Sequence, residues 1–118
     1  MRHNVKKTSL NLPAGQRKLQ LMNLATDLML HEKIKTTETR AKAIKPIIDR
    51  LINKAKNPNK VIAIREVSSF ITQKKASKKL IDDIAKRYDN RNSGYTKMTK
   101  LGFRNGDAAS LVQIELTK

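Results

Sequence analysis

Tyr95-Thr96-Lys97-Met98-Thr99-Lys100-Leu101-Gly102-Phe103, the connection Arg104-Asn105-Gly106-Asp107, and Ser110-Leu111-Val112-Gln113-Ile114-Glu115-Leu116-Thr117 read as two strands around a turn. Val112, Ile114 and Leu116 alternate with Leu111, Gln113 and Glu115, so one face of the last strand is expected to pack on a core. Asn105-Gly106 is the strongest short hairpin signal in the chain, because both residue types tolerate positive φ. Far upstream, Lys33-Ile34-Lys35-Thr36-Thr37 is short and rich in β-branched residues, which suits a third strand. Thr36 or Thr37 can then cap a helix that carries Glu38 in its first turn.

Helical periodicity fills the remainder. Leu21, Leu24, Ala25 and Leu28 fall at i, i+3, i+4 and i+7, which predicts a helix from Gln16 to Leu30 or His31. Ala41, Ile44, Ile48, Leu51, Ile52 and Ala55 line one face of a second helix, and Pro46 predicts a kink or break near Ala43 to Lys45. Asn59 can cap a third helix whose expected core contacts are Val61, Ile64, Val67, Phe70 and Ile71. A fourth, near Ser77 to Asn90, turns Leu80, Ile81, Ile84, Ala85 and Tyr88 inward and pairs Asp82 with Lys86 and Asp83 with Arg87 outside. The order α-β-α-α-α-β-β predicts an α+β fold of two layers, a small mixed sheet covered on one face by helices. Residues 1–15 read as a basic N-terminal arm and residues 16–118 as a single domain.

The charge balance narrows the function. The 118 residues hold 26 Lys and Arg against 10 Asp and Glu, a net charge of +16, and an excess of this size calls for an anionic partner where the cations converge. Nucleic acid is the first candidate, since neutralising phosphates releases counterions and supplies affinity without base contacts. The chain has no cysteine, which excludes disulfides, thiolate nucleophiles and cysteine-ligated zinc. His3 and His31 are the only histidines, with no HExxH spacing, and neither a Walker loop nor GxGxxG occurs. No cofactor, metal, catalytic residue or small-molecule substrate is therefore expected, nor a membrane span.

The two longest stretches without any acid are residues 1–26 and 90–106. They supply the phosphate-contact candidates Arg2, Lys6, Lys7, Arg17 and Lys18 in the first, and Arg91, Lys97, Lys100 and Arg104 in the second. Gly94 and Gly102 either make turns or admit a ribose-phosphate backbone closely, with nothing to separate the two, whereas Gly106 reads as a turn residue. Tyr95 could stack on a base, but core packing is the stronger reading for it and for Phe103. Lys42 and Lys45 read as the solvated face of a helix.

Several pieces together resemble one family: Met1-Arg2-His3; Leu30 to Thr37 followed by Ala41-Lys42; Ser93-Gly94-Tyr95-Thr96-Lys97; Gly102 to Asp107; and Ile114-Glu115-Leu116. In order and spacing they are similar to the bacterial large-subunit ribosomal protein L-seventeen family over nearly the whole chain. The resemblance implies a two-layer α/β domain bound to large-subunit ribosomal RNA close to the nascent-chain exit region, structural and non-catalytic, among neighbouring ribosomal proteins in the cytoplasm. It implies RNA-facing roles for Arg2, His3, Arg17, His31, Lys35, Thr36, Thr37, Tyr95, Lys97 and Arg104. The chain departs from the pattern near its start, with Asn4-Val5, Ala14-Gly15-Gln16 and Met22 where family members are more basic.

Two other classes fit less well. A DNA-binding module would use the third and fourth helices as a helix-turn-helix, yet the linker from Gln73 to Ser77 has no glycine and the second of those helices carries Asp82, Asp83 and Asp89. An RNA-processing enzyme needs a general acid and base that the sequence does not supply.

Overall fold

The computed structural model describes residues 1, 3 and 9–118. Strand β1 (Lys33–Thr37) runs directly into helix α2 (Glu38–Ala55), as the residue pattern predicts. Thr37 occupies the N-cap with extended backbone, although its hydroxyl makes no capping bond. Ahead of them lies α1 (Ala14–His31), which starts two residues before Gln16 and ends at Glu32, a left-handed residue with φ 62° whose N–H returns to the Leu28 carbonyl. After α2 come α3 (Lys60–Ser68), capped by Asn59 Oδ1 accepting from the Val61 N–H at 3.1 Å, and a fourth helix, α4. Helix α4 joins an α segment, Lys74–Lys79, a π-helical turn, Leu80–Ile84, and a last turn, Ala85–Arg87. Strands β2 (Thr96–Phe103) and β3 (Ser110–Leu116) close the chain.

The three strands lie in the order β1-β3-β2. Both pairings are antiparallel, with Ile34 and Met98 each opposite Ile114. The sheet is thus antiparallel throughout where a mixed one was expected; the α2-to-β2 excursion returns the last hairpin beside β1 in the opposite sense. Helices cover one face. Ile114 and Leu116 are buried in one cluster with Leu28, Met29, Ile44, Ile48, Ile52, Leu80, Ile84 and Tyr95, and Val112 is buried on the same face. Among the described residues the other face stays open, as antiparallel sheets permit.

Pro46 does not break α2, which runs without interruption from Glu38 to Ala55. The proline is exposed, and so is Lys42, whose carbonyl loses its helical partner and can turn to water instead. In α3 the expected inward face is partly reversed. Val67 and Ile71 are buried and Phe70 packs half-buried, but Val61 is 54% exposed and Ile64 49%, while the small Ala63 faces the core. On α4, Asp83 pairs with Arg87 at 3.3 Å, whereas Asp82 and Lys86 stay apart in solvent, where pairing gains little.

The hairpin turn also differs from the two-residue Asn-Gly form. Six residues join the strands, and positive φ falls on Ala108 (55°) and not on Asn105 or Gly106. The loop closes through Arg104 N–H to the Ala109 carbonyl and Ala108 N–H to the Arg104 carbonyl, both 2.9 Å. A bulge interrupts β2 between Lys100, opposite Val112, and Gly102, opposite Leu111, and Gly102 there takes φ 115°. Gly94, at φ 68°, likewise has a backbone reason to be glycine.

Candidate nucleic-acid interface

Strand alternation sorts the sheet residues by face. Ile34, Thr36, Val112, Ile114, Leu116, Thr96 and Met98 turn toward the helices. On the open face, Lys33 and Lys97 flank Glu115 in register, and Lys35 and Thr99 flank Gln113. All four flanking residues are exposed. Beyond the covered part of the sheet, every residue from Thr99 to Ala108 is exposed, so the hairpin end projects free of the helices.

The arm meets the sheet at this same end. Ser9, Leu10 and Asn11 border one hollow with Thr37, Glu38, Thr39, Lys42, Ala109 and Ser110. A turn fixes the approach: the Leu12 N–H reaches the Ser9 carbonyl at 3.1 Å, and Leu10 and Asn11 take φ of 53° and 54°. The structure therefore places Thr37 beside the root of the arm and Lys35 and Lys97 on the open face, Lys97 toward the far end opposite Glu115, while Lys100, opposite Val112, lies on the helix-facing side and Arg104 in the turn. Arg17, half-buried, and exposed Lys18 follow in the first turns of α1, whose first turn holds no acid. His3 is exposed, and Arg2, Lys6 and Lys7 lie outside the described residues.

Several expected contacts take other roles. Tyr95 is fully buried, so its ring is not available to a base. Its hydroxyl lies 2.5 Å from Asn53 Oδ1 and 2.7 Å from the Arg91 carbonyl, and accepts from Lys56 Nζ at 3.1 Å. Thr36 is on the helix-facing side of β1 and buried. Arg91 is half-buried, its guanidinium bonded to the Thr117 hydroxyl and set over the Tyr88 ring. These residues tie the segment before β2 to the end of α2 and to the chain's last residues. Tyr95 and Arg91 lie in an acid-free stretch, but their partners are groups of the same chain, neutral except for the Lys56 ammonium.

His31 stands apart from the rest. It is exposed at the end of α1 and shares a hollow with Leu30, Gln73, Lys75, Lys78, Lys79 and Asp82. Lys79 Nζ caps the Leu30 carbonyl at 2.9 Å and pairs with Glu32 at 3.1 Å. Lys74, Lys75 and Lys78 are exposed around the start of α4, a basic cluster within residues 67–81, which also lack an acid but are shorter than the two stretches singled out from the sequence.

Internal pairing occupies part of the positive charge. Glu32 receives Arg87 in a two-pronged pair at 2.9 and 3.2 Å, and that contact, followed by Lys79, lowers its carboxyl from 4.5 to about 2. Lys42 and Glu38 pair at 2.8 Å, which lowers the Glu38 carboxyl. Arg104 grips Asp107 through Nε at 3.0 Å and Nη2 at 2.6 Å, holding that carboxyl down at about 2. Arg104 is thus a fixed part of the turn, although exposed, whereas Lys33, Lys35 and Lys97 have no such partner among the described residues.

The described residues thus form a small, strongly basic α+β domain that displays lysines on a sheet face without helices and commits several of its carboxylates to internal pairs. A family model described as "Ribosomal protein L17" matches residues 20–117, and the chain belongs to that family. It is similar to the large ribosomal subunit protein bL17 of Rickettsia bellii, 46% identical over 115 residues that cover 98% of this chain and 80% of the relative. The protein of the same name from Petrotoga mobilis is 41% identical over 123 residues, covering 98% and 96%. That from Clostridium perfringens is 45% identical over 107 residues, covering 91% and 94%. The resemblance seen in the residues is the family found, and the chain is a ribosomal protein with a structural role and not an enzyme. Among the described residues no helix is long and apolar enough to cross a membrane, and no group of His, Asp or Glu side chains could hold a metal ion.

Proposed function

We propose that the chain is a structural constituent of the large ribosomal subunit in the cytoplasm, binding 23S ribosomal RNA near the nascent-chain exit region and stabilising its folded form during translation. The observation that carries this reading is the placement of Lys33, Lys35 and Lys97 on the face of the sheet that none of the described helices covers, with the exposed hairpin and the root of the arm at the other end of the same sheet. A rigid sheet spares the ordering of the backbone beneath these lysines when they meet phosphates, and each phosphate neutralised adds counterion release. Relatives that are themselves large-subunit proteins support the choice of RNA over DNA. Neighbouring ribosomal proteins complete the proposed surroundings, and the exit-region location rests on the family resemblance.

Sedimentation of a lysate through sucrose at moderate salt tests the assignment. The protein is expected to travel with the large subunit. Migration with DNA would favour a nucleoid role, and a free protein at the top of the gradient would remove the ribosomal one.

A further inference from the structure

We propose that Phe103 is a stacking platform for an unpaired RNA base, presented at the free end of the β2–β3 hairpin near the exposed cation of Lys100. The inference rests on the RNA-binding reading above and deepens it. Of the four aromatic residues, Tyr88 and Tyr95 are buried and Phe70 is half-buried in the helical layer, while Phe103 is 75% exposed. Aromatic strand residues usually enter the core, which is where the sequence pattern puts Phe103; the hairpin overhangs the helices, so none of the described elements covers it.

The backbone beneath this ring is fixed. Phe103 sits on the last rung of the ladder, opposite Ser110, directly after the Gly102 bulge. The next residue is held by its bond to Ala109 and by the two-pronged Arg104–Asp107 pair, and the Asp107 carboxylate also accepts from the Ala109 N–H at 3.2 Å. A ring on such a support costs little ordering on binding. Leu101, the extra residue of the bulge, is exposed beside it.

Charge selects the occupant. The stretch 90–106 has no acid, and the next residue along the chain, Asp107, is neutralised by Arg104. A bare aromatic face with an exposed cation nearby matches a base and its own phosphate, because every base has a π-face and stacks without demanding a hydrogen-bond pattern. Covering by a second copy of a chain of net charge +16 is opposed by repulsion.

Binding of the full chain to protein-free 23S ribosomal RNA, measured across a series of potassium chloride concentrations, separates stacking from charge. Phe103→Ala is expected to weaken binding by about 5- to 100-fold at every salt concentration, with the salt slope unchanged. Phe103→Tyr and Phe103→Trp retain affinity and Phe103→Leu does not, because stacking needs an aromatic face. Lys100→Gln lowers the slope instead. A urea midpoint unchanged by Phe103→Ala shows that the ring serves no packing role. Equal affinity of Phe103→Ala and the unaltered chain overturns the proposal, and so does full rescue by Phe103→Leu, which would make the site merely apolar. If the unaltered chain shows no salt-dependent affinity for the RNA, the RNA-binding reading itself falls and takes the stacking site with it.

Discussion

Lys56 and Tyr95 meet inside the fold, the ammonium donating to the phenol oxygen at 3.1 Å and lying 5.4 Å from the ring centroid. The same ammonium donates to the Arg91 carbonyl, so one lysine from the end of α2 ties together two residues that the sequence offers as RNA contacts. Tyr95→Phe keeps the packed ring and deletes the hydroxyl shared by Asn53, Lys56 and Arg91. It is expected to cost about 1–3 kcal/mol, because part-buried polar groups are left without their partner. Urea unfolding measures this; at concentrations where the variant is folded, its RNA affinity should equal that of the unaltered chain.

Glu32 supplies a pH dependence. Its carboxyl falls from 4.5 to about 2 in the folded state, first through Arg87 and then through Lys79. A depressed folded value means that the contribution is fully present above the unfolded value of 4.5 and fades as pH falls toward 2. The pair is partly solvated, so Glu32→Gln is expected to cost no more than about 1 kcal/mol at neutral pH. The difference between variant and unaltered chain should vanish as the pH approaches 2, and a difference that persists there would point to a packing origin.

Replacing Lys33, Lys35 and Lys97 together by Gln should leave stability within about 0.5 kcal/mol of the unaltered chain, since all three are exposed. The slope of log affinity against log salt should become shallower by about one unit for each phosphate that these lysines neutralise. Binding to ribosomal RNA at two or three salt concentrations is the measurement, and an unchanged slope would move the RNA-binding surface elsewhere.

Gly102→Ala forces an L residue to φ 115° although there is open space for its Cβ. The expected cost is about 1–3 kcal/mol of backbone strain. Gly106→Ala, with equal room and no positive φ, should change stability by less than about 0.5 kcal/mol. Paired thermal unfolding of the two variants checks the contrast.

The strands and the α2 stripe were readable because their signals are local. Lys33 to Thr37 is β-branched, Val112, Ile114 and Leu116 alternate, and Ile44, Ile48 and Ile52 repeat at helical spacing. Helix α3 was harder because its apolar residues surround most of its circumference; which side turns inward is settled by the close approach that Ala63 allows, a tertiary matter. Phe103 escaped for a related reason. Its strand pattern is ordinary, and only the length by which the hairpin outruns the helices makes it exposed. Acid-free stretches gathered as phosphate-contact candidates Lys97 and Lys100, which are exposed, together with Arg91, whose partners are hydroxyl, carbonyl and ring groups that no charge count registers.

Ultraviolet crosslinking in purified ribosomal particles, with both peptide and nucleotide mapped, tests RNA binding by the open sheet face most directly. Crosslinks to 23S ribosomal RNA from residues 33–35 and 97–104, with none from buried Tyr95, are the predicted result. A protein present in the large subunit whose crosslinks arise only from the helical layer would contradict the open sheet face and its hairpin as the RNA-binding surface.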